Sequence, residues 1–100
     1  MYYNSSMIFV RRLTWDSWNV AHIARHDVVP DEVEEICHSE HIVREGYKGR
    51  LMLIGATRGG RILAVVLEPE GEGKFYAITA RPASRKERRI YQVEKGSETK

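Results

Sequence analysis

The spacing of apolar positions changes near residue 40. Before it, apolar residues recur every three or four positions; after it, they alternate or run together. WDSWNVAHIARH (15–26) sets Trp15, Trp18, Ala21, His22 and Arg25 at helical spacing, with Ile23 at the stripe's edge, and predicts a helix. Thr14 suits its N-cap, and Asp16 suits the positive end of its dipole. Residues 27–29 then turn the chain. PDEVEEICHS (30–39) predicts a second helix, because Pro30 fits a first helical position and Asp31 and Glu32 fit a first turn. Its inner face is Val33, Ile36 and Cys37, and Glu32, Glu34 and Glu35 give it an acidic flank. Ahead of both helices, MIFVRRL (7–13) has the β-branched and aromatic content of a short strand.

Beyond residue 40 the pattern is that of a sheet. HIVRE (41–45) alternates, whereas RLMLIGAT (50–57) and RILAVVLE (61–68) are nearly continuous apolar runs of the kind that strands buried on both faces show. Arg58-Gly59-Gly60 between them supplies glycine for a tight hairpin. PEGEG (69–73) is a turn by composition, and KFYAITA (74–80) is a further strand, interrupted at Pro82. Ser84 followed by Glu87 has the capping-box form, so a last helix starts near Ser84 and runs to about Glu94. The predicted order is (β)ααββββα. It implies an α+β fold with helices packed on an antiparallel sheet of four strands, or five if residues 7–13 pair. One domain over residues 1–100 is expected, with a core of about 7–94 and frayed tails at 1–6 and 95–100.

Composition narrows the class. With 42% apolar and 30% charged residues the chain suits a soluble globular domain, and no apolar run reaches the roughly 20 residues of a membrane span. The N-terminus lacks a basic start followed by a long apolar stretch, so no signal peptide is expected. A single cysteine, Cys37, cannot close an internal disulfide and is too few for a Cys-based zinc site; a reducing, cytoplasmic setting follows. The net charge of +2 hides an asymmetry. Residues 81–95 carry six Lys/Arg against two Asp/Glu, while the rest of the chain carries ten against twelve. A basic module on a near-neutral body points to an anionic partner.

The basic module is the first candidate for chemistry. Arg81, Arg85 and Arg88 lie three or four residues apart, and arginine grips phosphate bidentately. Lys86, Arg89, Tyr91 and Gln92 extend the same stretch, and a tyrosine can stack on a base or donate to a phosphate. The bland alternative is a solvated helix face, or cations paired with the acidic 31–35 helix of the same or another molecule. A second candidate is the i, i+4 pair His22 and His26. It lacks the Glu of His-Glu-x-x-His, and His38 and His41 have no diagnostic ligand spacing, so no metal site is expected. His26 suits either a helix C-terminus or general acid–base work. Trp15 and Trp18 can stack on bases, although aromatics at this spacing more often anchor a core, the expectation for Trp15. Cys37 reads as a small buried apolar residue.

Three stretches together resemble the BrnT family of bacterial toxins: LTWDSWNVAHIARHDVVPDEVEEI, RLMLIGATRGGRILAVVL and FYAITARPASRKERRIYQ. Trp15-Asp16, Arg25-His26-Asp27-Val28, Gly55 with Gly59-Gly60, and the block from Ala80 to Tyr91 occupy the places of the family's pattern. The resemblance covers about residues 13–92, and the last block is its most specific part. Asp27 stands in place of the family's usual Gly, His22 in place of its common Asn, and the first helix is about one residue shorter. The resemblance implies a RelE-like fold and a metal-independent endoribonuclease acting on messenger RNA, without cofactor. It also implies a DNA-binding antitoxin partner, as in type II toxin–antitoxin systems. The site it suggests has Arg81 and Arg85 stabilising phosphorane charge, His26 or Tyr91 moving protons, and Arg88, Arg89, Lys86, Lys48 and Arg50 holding RNA. The competing reading is a non-catalytic RNA- or protein-binding module with a degenerate toxin fold. Exposed acidic and basic helices leave homodimerisation open.

Overall fold

The computed structural model describes residues 7–98. The expected tail at 1–6 lies outside the described residues, as do residues 99 and 100. The elements are β1 (Arg12–Thr14), α1 (Ser17–Ala24), α2 (Pro30–Cys37), β2 (His41–Glu45), β3 (Leu51–Ala56), β4 (Ile62–Gly71), β5 (Lys74–Pro82) and α3 (Arg85–Glu98), with a 3₁₀ turn at Tyr47–Gly49. The α+β class is as expected. The last helix continues past Glu94 to Glu98 instead of giving way to a tail at 95. No helix among the described residues is long and apolar enough to cross a membrane.

One sheet carries the strands in the order β1-β5-β4-β3-β2. β2 to β5 form the expected antiparallel meander. The sheet as a whole is mixed, because β1 runs parallel to β5, with Leu13 opposite Phe75. β1 is also shorter than the expected 7–13: ahead of it Val10 is buried in the core and Ile8 packs against it, while Phe9 between them is exposed. β5 continues through Pro82, which pairs with Leu63. β1 reaches only Tyr76, so the missing N–H of Pro82 falls on an open edge where no ladder bond is lost. β4 likewise runs on to Gly71, past the expected turn at Pro69, with its register shifting between Pro69 and Gly71. The reversal then takes two residues, Glu72 (φ 57°) and Gly73 (φ 79°), both in the left-handed region a tight hairpin needs.

The two faces of the sheet have separate cores. Val33, Ile36, Cys37 and Ile23 of α1 and α2 pack with Leu53, Leu63, Val65, Leu67 and Phe75. Tyr91 and Ile90 of α3 pack with Ile42, Ile54, Met52, Ala56 and Ile62. Neighbouring strand residues point to opposite faces, so α1 and α2 lie on one side and α3 on the other. α2 comes close to the sheet at Gly55, where a Cβ would sit 3.0 Å from the Ile36 side chain and 3.2 Å from the Glu40 carbonyl.

The N-cap of helix α1 lies two residues beyond the expected Thr14. Asp16 is the N-cap, accepting from Asn19 N–H while the Asn19 side chain accepts from Asp16 N–H. The helix ends in a Schellman-type turn. Asp27 adopts φ 60° and donates to the Ala24 carbonyl, Val28 donates to the Ile23 carbonyl, and Ile23 and Val28 are both buried.

Candidate functional site

Helix α3 begins where β5 ends. Ala83 N–H donates to the Ile62 carbonyl, which anchors the junction against β4. Ser84 caps the helix: its hydroxyl accepts from Glu87 N–H at 3.1 Å, and Glu87 Oε1 accepts from Ser84 N–H at 2.8 Å. Tyr91 and Ile90 then turn inward, and Arg44–Glu94 and Lys95–Glu40 ion pairs tie the far half of α3 to β2 and the residue before it. Once this face of the helix is committed inward, Arg85, Lys86, Arg88 and Arg89 are left exposed.

Arg81 is the joint between strand and helix. Its Nη1 donates to Glu87 Oε1 at 2.8 Å and its Nη2 to Glu87 Oε2 at 2.9 Å, an end-on fork. The guanidinium holds the Glu87 carboxyl down to about 2, with the Ser84 bonds adding to the effect. Glu87 in turn raises the Arg81 value, the bonded fork outweighing partial burial. The Glu87 side chain is 15% exposed and that of Arg81 40%, so Arg81 is the member that meets solvent.

By strand alternation Arg81 lies on the α3 side of the sheet, because its neighbour Ala80 belongs to the opposite core. α3 packs over β2 and β3, and the remainder of that side, around Val66, Thr79 and Arg81, is half-exposed. Arg50 belongs to this side as well, where its Nε donates to Glu68 at 3.1 Å. Lys48 sits in the 3₁₀ turn with φ 58°, its ammonium 5.4 Å from the Tyr47 ring centroid. That turn precedes β3, at the end of the sheet away from the start of α3. The structure therefore brings Arg81, Arg85 and Arg88 to one junction, sets Arg50 further along the same side, and leaves Lys48 remote.

Tyr91 is 8% exposed and belongs to the α3 core. It also forms part of the wall of an open cleft of about 490 Å³ shared with Glu35, His38, Thr57 and Arg58. His26 lies apart, in the turn that follows α1, across the sheet from α3. Its ring meets His22 edge-on at 5.9 Å, and His22 stacks on Trp18 at 4.8 Å. Trp18, 56% exposed, is thus a surface aromatic. Trp15 packs against the core and donates its indole N–H to Glu34 at 2.9 Å.

The acidic helix does not neutralise the basic one. Glu32 accepts from Arg61, Glu35 pairs with Arg58, and Glu34 accepts from Trp15 and lies 3.4 Å from His38. Among the described residues, Arg85, Lys86, Arg88 and Arg89 have no carboxylate partner. Cys37 is buried, and burial together with Glu34 pushes its thiol up to about 12. No group of three or more His, Cys, Asp or Glu side chains that could hold a metal ion occurs among the described residues.

The crystal structure of the Brucella abortus ribonuclease toxin BrnT matches this fold with a TM-score of 0.61 and 28% sequence identity, over 74% of this chain and 97% of that one. The chain is BrnT-like. No family model and no curated protein matches it. Within the BrnT-like chain, the sequence marks the basic helix and Arg81, and marks Glu87 only as part of a capping box. The missed feature is the carboxylate's second role as the holder of Arg81. The sequence signal was Glu87 itself, the one acidic residue among the cations of 81–89.

Proposed function

We propose that this BrnT-like chain is a ribonuclease toxin of a type II toxin–antitoxin system that cleaves messenger RNA without a metal ion. The observation that carries the reading is the α3 junction: four exposed cations without carboxylate partners beside a half-exposed arginine held in place. Such a surface suits a polyanion, and likeness to a ribonuclease toxin supports RNA as that polyanion. The protein acts in the cytoplasm, with a DNA-binding antitoxin as its partner.

The reaction needs charge stabilisation and two proton transfers. The RNA 2′-OH attacks the adjacent phosphorus in line, the 5′-oxygen leaves with a proton, and a 2′,3′-cyclic phosphate remains. Arg81, with Arg85 and Arg88, offsets the charge on the phosphorane oxygens, the largest single contribution such a site makes. Arg89, Lys86 and Arg50 hold the flanking chain. Of the two expected proton carriers, Tyr91 is on α3 itself, and His26 is across the sheet.

The test is induced expression of wild type beside Arg81→Ala, with RNA products analysed in EDTA. Growth arrest and cyclic-phosphate ends from wild type, reduced on the order of 10²-fold in Arg81→Ala, are expected. Cleavage that stops in EDTA overturns the metal-free mechanism. A specific observation favours a second reading, a non-catalytic RNA- or protein-binding module: the Tyr91 ring is largely buried and His26 stands on the other layer. Salt-dependent RNA binding with intact RNA would select it.

A further inference from the structure

Arginine carries five N–H bonds, and Arg81 spends them unequally. One from Nη1 and one from Nη2 go to the two Glu87 oxygens. Nη1 also reaches the Pro82 carbonyl at 3.3 Å. The two that remain are the Nε–H and the second Nη2 hydrogen. They lie on the same edge of the planar guanidinium and point the same way, the side-on fork. Among the described residues no acceptor meets them. One fork is clamped, and the other is presented as a pair of parallel donors, the geometry that grips a phosphate through two oxygens.

The clamp is itself braced. Glu87 is in the first turn of α3, and its Oε1 also accepts from Ser84 N–H. The carboxylate plane is therefore set by the helix start, and the guanidinium plane by the carboxylate. Arg81 reaches it from β5, so the angle of the free fork is fixed by how strand and helix meet. An arginine without this brace would sample many rotamers and present a mobile point charge.

We propose that Glu87 is a positioning residue, holding Arg81 so that its Nε/Nη2 edge receives a phosphate group of the RNA chain bidentately. This rests on the ribonuclease reading for its substrate, though the clamp is testable without it. Glu87 acts through Arg81 and touches no reacting atom.

Glu87→Gln is the informative variant, because Gln also completes a capping box with Ser84 and keeps the helix start. It loses the charge and places an amide N–H₂ against one guanidinium nitrogen. Expected is a fall in kcat on the order of 10–100-fold with a smaller change in KM, since orientation is lost more than contact. In an Arg81→Ala background, Glu87→Gln should then have no further effect. Arg81→Lys should be nearly as impaired as Arg81→Ala, because one ammonium cannot replace a two-donor edge. Glu87→Gln at wild-type kcat, or an equal loss in both backgrounds, overturns the proposal. Should wild type fail to cleave RNA, the clamp is read separately by the Arg81 guanidinium NMR signals. Slow Nη rotation in wild type that becomes fast in Glu87→Gln supports it; fast rotation in wild type overturns it.

Discussion

The Asn19 side chain donates to the Ala77 carbonyl at 3.1 Å, joining residues 58 positions apart inside the core. β1 pairs with β5 only as far as Tyr76, and the β4–β5 register shifts beside Ala77. The Ala77 carbonyl thus falls where the edge ladder has stopped. Asn19 also donates to the Thr14 carbonyl at 2.9 Å and accepts from Asp16 N–H at 2.8 Å. One buried amide so closes the end of β1, the cap of α1 and the irregular part of β5. Asn19→Ala should lower stability by about 2–4 kcal/mol, since it orphans buried groups. Asn19→Asp should cost as much, because a carboxylate offers no donor to two carbonyls. Urea midpoints measure both.

Asp27 gives a prediction of opposite sign. It holds φ 60° at the end of α1, a conformation that strains a residue with a Cβ. Asp27→Gly should stabilise by about 0.5–1 kcal/mol, and Asp27→Val should destabilise by more. Thermal melts of the three proteins decide it. The predicted gain also accounts for glycine at this position in the family pattern that the sequence resembles.

Glu87 and His41 both contribute to the acid limb of stability, in different windows. The Glu87 carboxyl lies near 2 in the folded chain against an ordinary 4.5. Its contribution is complete above about 4.5 and is lost as pH falls from there towards 2. His41 is buried, with Nδ1 donating to the Ile36 and Ser39 carbonyls and Nε2 accepting from Ile8 N–H, and burial lowers its value below the ordinary 6.5. The fold favours the neutral ring, so stability is full above about 6.5 and declines as pH drops below it. Urea midpoints from pH 8 to 3 should therefore fall in two stages. His41→Gln should flatten the first stage, and Glu87→Gln the second.

Cys37 should be inert. With its thiol near 12, a Cys-directed reagent at pH 8 should label it only on unfolding. Labelling of the native chain at the rate of a free thiol would contradict the packing of α2 on β3.

The α3 cations should be read by salt. Each phosphate contact removed from a single-stranded RNA complex lowers the slope of log K against log salt by about 0.7. Arg85→Gln with Arg89→Gln should reduce the slope by about twice that. Arg58→Gln, whose side chain pairs with Glu35 on the turn after β3, should leave it unchanged. A slope that moves equally in both would remove α3 as the contact surface.

Local sequence determined a good deal here. Pro30, the Ser84–Glu87 box and the alternation of 41–45 each act through bonds to neighbours a few residues away, and they sit where the pattern placed them. The crowding of cations after residue 80 is equally local, and so is their exposure once Tyr91 and Ile90 turn inward. Tertiary structure alone decided which side of the sheet each helix covers. A period of 3.6 or 2 specifies that a face is buried but not against which layer. That choice put His26 across the sheet from Arg81, sent β1 parallel along β5, and left Asn19 to receive a carbonyl 58 residues away. The Arg81–Glu87 fork belongs to both levels. The six-residue separation is written in the chain, but the two planes align only because β5 ends where α3 begins.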